Sequence, residues 1–189
     1  MFQCLAFAIK LEAGFAEEGA RGPSCPEGVN MFKNLIIASA AAVAVAVSAV
    51  PSMAQDWQAS PTYGSVSLTT GFTPDPHYVG LRSGGPINVA QTLGGACRGF
   101  VANAPDFDLY FTGGSNLPLA ISVDSAADTT LVINDPNGNW YCDDDSGDGL
   151  NPSIVFSNPA TGLYDIWVGT YSNASLQDAT LAISELSTY

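Results

Sequence analysis

The chain has 189 residues and a formal net charge of −13, with 5 lysines and arginines against 18 acids. So acidic a surface repels phosphate backbones and anionic lipid, which argues against nucleic acid and the membrane surface as partners. With 1 histidine and 4 cysteines, there is also little material for a zinc site or a histidine-based proton relay.

The first recognisable element begins at Met31. Met31-Phe32-Lys33-Asn34 is a short basic start, residues 35–50 are an uncharged run rich in Ala and Val, and Pro51-Ser52-Met53-Ala54 places small residues before Gln55. Basic, apolar and small-x-small segments in that order predict a secretory signal peptide over 31–54. The apolar run is shorter than the roughly 20 residues a membrane span needs, so no membrane insertion is expected after cleavage. A signal peptide should open a chain, so residues 1–30 are read as an over-extended start with Met31 as initiator. The competing reading is a true N-terminal extension with an internal anchor. The expected location is outside the cytoplasm, periplasmic or extracellular.

Residues 55–189 are expected to form a single domain. They hold two bases, Arg82 and Arg98, and 14 acids, 13 of them Asp, a turn residue and hard oxygen ligand. Thr62–Thr69 alternates apolar and polar residues as a half-buried strand does. His77–Arg82 and Ile87–Thr92 read as further strands, parted by Pro- and Gly-rich turns. A glycine bend delivers Cys97, and Phe107–Thr112, Leu117–Val123 and Thr129–Asn134 follow as strands. Asp135-Pro136-Asn137-Gly138 is a hairpin turn by composition, with Asn139–Cys142 as the returning strand. After the acidic loop Asp143–Pro152 come strands at Ser153–Ser157, Leu163–Gly169 and Ala179–Glu185. Short strands with turns at close intervals, and no helical apolar stripe, predict an all-β, antiparallel β-sandwich.

Cys97 and Cys142 are the cysteines of this region, and an even pair in an exported chain reads as one disulfide. The acidic loop contains Asp144-Asp145-Ser146-Gly147-Asp148-Gly149, which matches the first half of a calcium loop. The second half fails, because Val155 stands where a bidentate Glu is needed. Carboxylates this dense repel one another, and a hard cation would relieve them; the alternative is a solvated acidic turn screened by salt.

Asp106-x-Asp108-x-Tyr110, Asp128-Thr129-Thr130-Leu131, Asp135-Pro136-Asn137-Gly138, Asp143-Asp144-Asp145 and Gly162-x-Tyr164-x-Ile166-x-Val168-Gly169 together resemble the bacterial pre-peptidase C-terminal domain. The resemblance covers about Ala104–Leu186. It implies a jelly-roll-like sandwich that serves secretion, substrate binding or, in some members, calcium binding. No peptidase domain precedes it in this sequence, so the trypsin-like peptidase label that stand-alone chains of this look carry is read as inherited from larger relatives. The resemblance also brings Asp106, Asp128 and Asp143 near the loop, so the expected calcium ligands are Asp106, Asp128, Asp143, Asp144, Asp145 and Asp148.

His77 would have to serve any Ser-His-Asp triad, with Asp75 or Asp106, and no Gly-x-Ser-x-Gly elbow exists. Composition marks no aspartate pair as a catalytic dyad. Trp140 and Tyr141 flank the acidic loop and are the aromatic pair read as able to stack on a ligand. The leading expectation is an exported, non-catalytic binding or structural module, calcium-stabilised, with a protein or polysaccharide partner. The alternatives are a secreted peptidase or its accessory protein, and a subunit of a surface assembly that self-associates through strand edges.

Overall fold

Apolar and polar residues alternate along most of the strands, and two sheets stack their apolar faces against each other. The computed structural model describes residues 55–114 and 116–188. The signal peptide and the start-site reading over 1–54 lie outside the described residues. The strands are β1 (Ser65–Thr69), β2 (His77–Ser83), β3 (Ile87–Asn88), β4 (Phe100–Val101), β5 (Phe107–Thr112), β6 (Leu119–Asp124), β7 (Thr129–Asn134), β8 (Trp140–Asp143), β9 (Ser153–Phe156), β10 (Gly162–Thr170) and β11 (Gln177–Ser184).

One sheet has 4 strands in the order β2-β11-β6-β9, all antiparallel. The other has 7, and one path through it runs β5-β10-β7-β8, with β8 at the edge. From β5 onward the chain crosses between sheets at every connection except the β7–β8 hairpin. Two four-stranded layers wound in this order are a jelly roll. β1 departs from an antiparallel sandwich: it lies parallel to β5, with Ser65 beside Asp108 and Thr69 beside Thr112. β1 reaches β5 only after the chain has passed through β2, β3 and β4, so no tight hairpin forces it antiparallel.

The main core fills the space between the sheets. Leu109, Phe111, Tyr164, Ile166, Val168, Leu131 and Ile133 meet Leu119, Ile121, Val123, Leu181 and Ile183, all at most 1 % exposed. A second, smaller core lies on the outer face of the seven-stranded sheet. There Val89, Cys97 and Val101 cover Val132 and Trp167. The covering flap is residues 87–103, and the Cys97–Cys142 disulfide ties it to β8.

Within the flap, the strand expected over Ile87–Thr92 stops after two residues and becomes a helical turn, α1 (Val89–Thr92). Asn88 is the reason: its side chain accepts the Ala90 N–H and caps the turn. The period-2 pattern of the sequence holds no information about that cap.

The staple closes 45 residues of chain. In the chain-entropy account such a loop contributes about 3–4 kcal/mol. The double substitution Cys97→Ala/Cys142→Ala should therefore lower the unfolding free energy by about 2–4 kcal/mol in urea melts. Reductant acting on the natural protein should reproduce the loss, and an unchanged midpoint would show that the flap holds without its bond.

Candidate functional site

The flap covers only part of the outer face, and the uncovered part is polar. Antiparallel register aligns Asp108 of β5, Asp165 of β10, Asn134 of β7 and Trp140 of β8 in one rung across four strands. The next rung, Trp167, Val132 and Cys142, is the floor of the smaller core. Trp140 joins the two, packing on Trp167 with ring centroids 5.3 Å apart. Over the polar rung opens a cleft of about 500 Å3, lined by Trp57, Asn134, Asp135, Pro136, Trp140 and Asp165 among others.

Asp108 and Asp165 are 6 % and 3 % exposed and stand opposite each other in the ladder. The Oδ1 atoms of both are buried, and no protein donor reaches either. Two ionised carboxylates offer only acceptors, so neither can satisfy the other while both are charged. Burial, then the charge of Asp108 and the bond to it, push Asp165 up to about 7. Burial raises Asp108 as well, and its bond to Asp165 draws it part of the way back.

The cleft wall is a turn that its own sequence builds. Asp135 Oδ1 accepts the N–H groups of Asn137 at 2.8 Å and Asn139 at 2.9 Å, and the Gly138 N–H closes on the Asp135 carbonyl. Burial works against the Asp135 charge, but the bonds from Asn139 and Asn137 outweigh it and hold this carboxyl below its ordinary value. Gly138 takes φ +78° at the turn, a conformation that favours glycine. Gly162 packs directly against the turn, and a Cβ there would come within 2.6 Å of Pro136.

The residues singled out in the sequence are scattered around this site. Asp106 is 2 % exposed, and its Oδ2 accepts the Val168 N–H at 2.7 Å. It stands in for a missing strand neighbour where β5 ends beside β10, and burial, opposed by that bond, pushes it up to about 7. Asp143 is occupied in shaping the acidic loop: it accepts from Ser146 Oγ, Ser146 N and Ser153 N. Asp144 and Asp145 lie close enough to Asp128 to act on it, adding to burial in raising its carboxyl. Asp148 is exposed. Among the described residues no three acidic, histidine or cysteine side chains are placed to hold a metal.

Trp140 and Tyr141 point to opposite faces of β8, as strand alternation requires, so they form no common platform. Trp140 lines the cleft, while Tyr141 packs edge-on to Phe156 and donates to Asp135 Oδ2 at 3.3 Å. His77 packs beside Phe107. Its two expected triad partners are engaged elsewhere: Asp75 accepts from Ser184 Oγ and the Glu185 N–H, and Asp106 holds Val168.

The sequence reading missed Asp108, Asp165, Asn134 and Trp57. A usable signal was present in Leu163-Tyr164-Asp165-Ile166-Trp167, where one carboxyl shares a strand face with Leu163 and Trp167. A charge on an otherwise apolar strand face is either costly or functional.

No protein-family model and no curated relative matches the sequence. Among solved structures, Aeromonas hydrophila PliG, a periplasmic inhibitor of g-type lysozyme, is similar at 13 % identity and a TM-score of 0.35, over 64 % of this chain and 96 % of that one. A likeness this loose bears on no residue of the cleft.

The raised carboxyls give stability a particular pH dependence. An unfolded Asp releases its proton near 3.8, whereas Asp165 and Asp106 keep theirs up to about 7. Between those values the unfolded chain binds fewer protons, so stability falls as pH rises through the window and levels off above it. Thermal melts from pH 4 to 8 should show that fall. Asp165→Asn should flatten part of it and raise the midpoint at pH 8 by a few degrees, and a variant no more stable than the natural protein at pH 8 would contradict the assignment.

Proposed function

We propose that this chain is an exported, non-catalytic binding module whose ligand enters the cleft over the Asp108–Asp165–Asn134–Trp140 rung. The observation that carries the reading is Asp165, a carboxyl 3 % exposed at the floor of an open cleft and lacking a donor for Oδ1. A buried polar atom without a partner costs about 1–3 kcal/mol, which structural needs alone do not explain. The lining combines aromatic surface with a few convergent polar groups, the usual constitution of a ligand site. Export is supported by the signal-like segment and by a disulfide, which persists in oxidising compartments. Membership of the pre-peptidase C-terminal family is part of the proposal, supported by the sheet-to-sheet crossovers from β5 to β11.

A peptidase reading draws less support, because His77 has neither of its expected carboxylates. The two tryptophans of the cleft make binding visible. Titrating candidate ligands against intrinsic fluorescence should give a saturable change that Trp140→Ala or Trp57→Ala weakens about tenfold, the scale of a lost aromatic contact. Binding that neither substitution alters would place the ligand site elsewhere.

A second reading, calcium as a stabiliser, rests on Asp128. Its Oδ1 is buried without a donor, and Asp144 and Asp145 repel its charge. A calcium ion there would draw on Asp128 and on water, with Asp144 and Asp145 adding negative charge nearby, and with affinity in the weak extracellular range of about 10⁻⁴–10⁻³ M. Millimolar calcium should then raise the melting midpoint, and Asp128→Asn should cancel the rise. Identical midpoints in calcium and in chelator would remove this reading.

A further inference from the structure

We infer that the cleft is a receptor for a guanidinium group, presented as an arginine side chain on a partner polypeptide. The inference rests on the cleft being the ligand site and adds the chemistry of what fills it.

Charge comes first. The charged side chains lining the cleft are Asp135 and Asp165, with Asp108 behind Asp165 in the same rung. The two arginines of the described residues are engaged elsewhere. Arg82 meets Asp178 and the Leu176 carbonyl, and Arg98 donates to the carbonyls of Gly95 and Cys97. The cleft therefore presents negative charge that no cation of the described fold offsets, on a domain with 14 acids and two bases.

Geometry narrows the cation. The deficit of the rung is in donors, since Asp108 and Asp165 each hold a buried Oδ1 that nothing reaches. A hydroxyl ligand supplies one donor and leaves the repulsion between the carboxyls in place. A guanidinium supplies five donors in a planar fork and a full charge, so it meets both needs at Asp165, the member of the pair that lines the cleft. It is also more weakly hydrated than an ammonium and stacks on aromatic faces, and Trp57 and Trp140 both line the cleft. Asn134, beside Asp165 in the rung, offers a further carbonyl oxygen. The volume of about 500 Å3 admits a long side chain, and the entrance is open beside Trp57, which is 50 % exposed.

Protons and guanidinium compete for the same oxygens. The titratable groups around Asp165 are Asp108 on β5 and Asp135 on the turn, while Asn134 and Trp140 carry no charge. With Asp165 pushed up to about 7 by burial and by Asp108, acidification should fill the site with a proton and expel the ligand.

The test titrates the purified protein with four probes: an acetylated, amidated Gly-Arg-Gly peptide, its citrulline and lysine counterparts, and a neutral oligosaccharide. The arginine peptide should bind at pH 8, the citrulline peptide at least tenfold more weakly, and the lysine peptide between them. Asp165→Asn keeps the shape of the site and should still fold, as its melt would show, yet lose at least tenfold in arginine-peptide affinity. Binding should also weaken at least tenfold from pH 8 to pH 5. Free argininamide binding as well as the peptide would leave the guanidinium assignment standing and remove the polypeptide partner. Equal binding of arginine and citrulline peptides would overturn the inference. So would oligosaccharide binding that Trp140→Ala abolishes, although the binding-module reading would survive it. A protein that binds none of the probes overturns the guanidinium assignment, and the tryptophan-fluorescence titrations then judge the module reading separately.

Discussion

β10 is buried on both faces, and the rest of the molecule answers that fact. Tyr164, Ile166 and Val168 enter the main core, while Trp167 faces the other way into the smaller one. A central strand with two hydrophobic sides needs cover on both. The four-stranded sheet covers one side. On the other, the short flap of residues 87–103 lays Val89, Cys97 and Val101 on Val132 and Trp167. The disulfide to β8 adds a covalent tie to that cover.

The flap ends where the polar rung begins, and this boundary creates the cleft. Trp140 sits on the line, stacked on Trp167 toward the covered side and lining the cleft toward the open side. The hydrophobic packing that secures the flap thus also positions an aromatic wall of the candidate site. Asp135 does comparable double service. Its carboxylate is tied up by Asn137 and Asn139, which fixes the turn and places Pro136 against Gly162.

The Asp108–Asp165 pair places two buried carboxyls side by side, which costs the fold stability. Apolar residues of similar size at these positions would pack against the flanking Leu163 and Trp167 without repulsion or desolvation penalty. Asp106 also carries a raised carboxyl, but a backbone N–H meets its Oδ2, so a structural role accounts for it. The contrast separates the two cases. One carboxyl completes the edge of a strand, and the other is buried with an Oδ1 that no donor meets. Burial of that kind costs stability.

Much of the architecture was legible from local pattern. Alternation in Leu119–Asp124, β-branching in Thr129–Asn134 and the Asp-Pro-Asn-Gly turn each specify their element with little help from the rest of the chain. The pairing of Cys97 with Cys142 followed once the expected signal peptide confined the count to residues 55–189, which hold these two cysteines. The α1 turn was not legible, because one side-chain bond from Asn88 decided it. Nor was the shape of the acidic loop, where Asp143 accepts bonds from Ser146 and Ser153.

The sequence by itself determined that the described chain would be strands, turns and one sulfur bridge, because those depend on neighbours within a few residues or on a unique partner. Only the tertiary structure decided which aspartates meet. Asp108 and Asp165 are 57 residues apart in sequence yet adjacent in register, and Asp106 and Asp143 are drawn into separate tasks. Register is set by how two distant strands align their apolar faces, a property of the pair that neither strand carries alone.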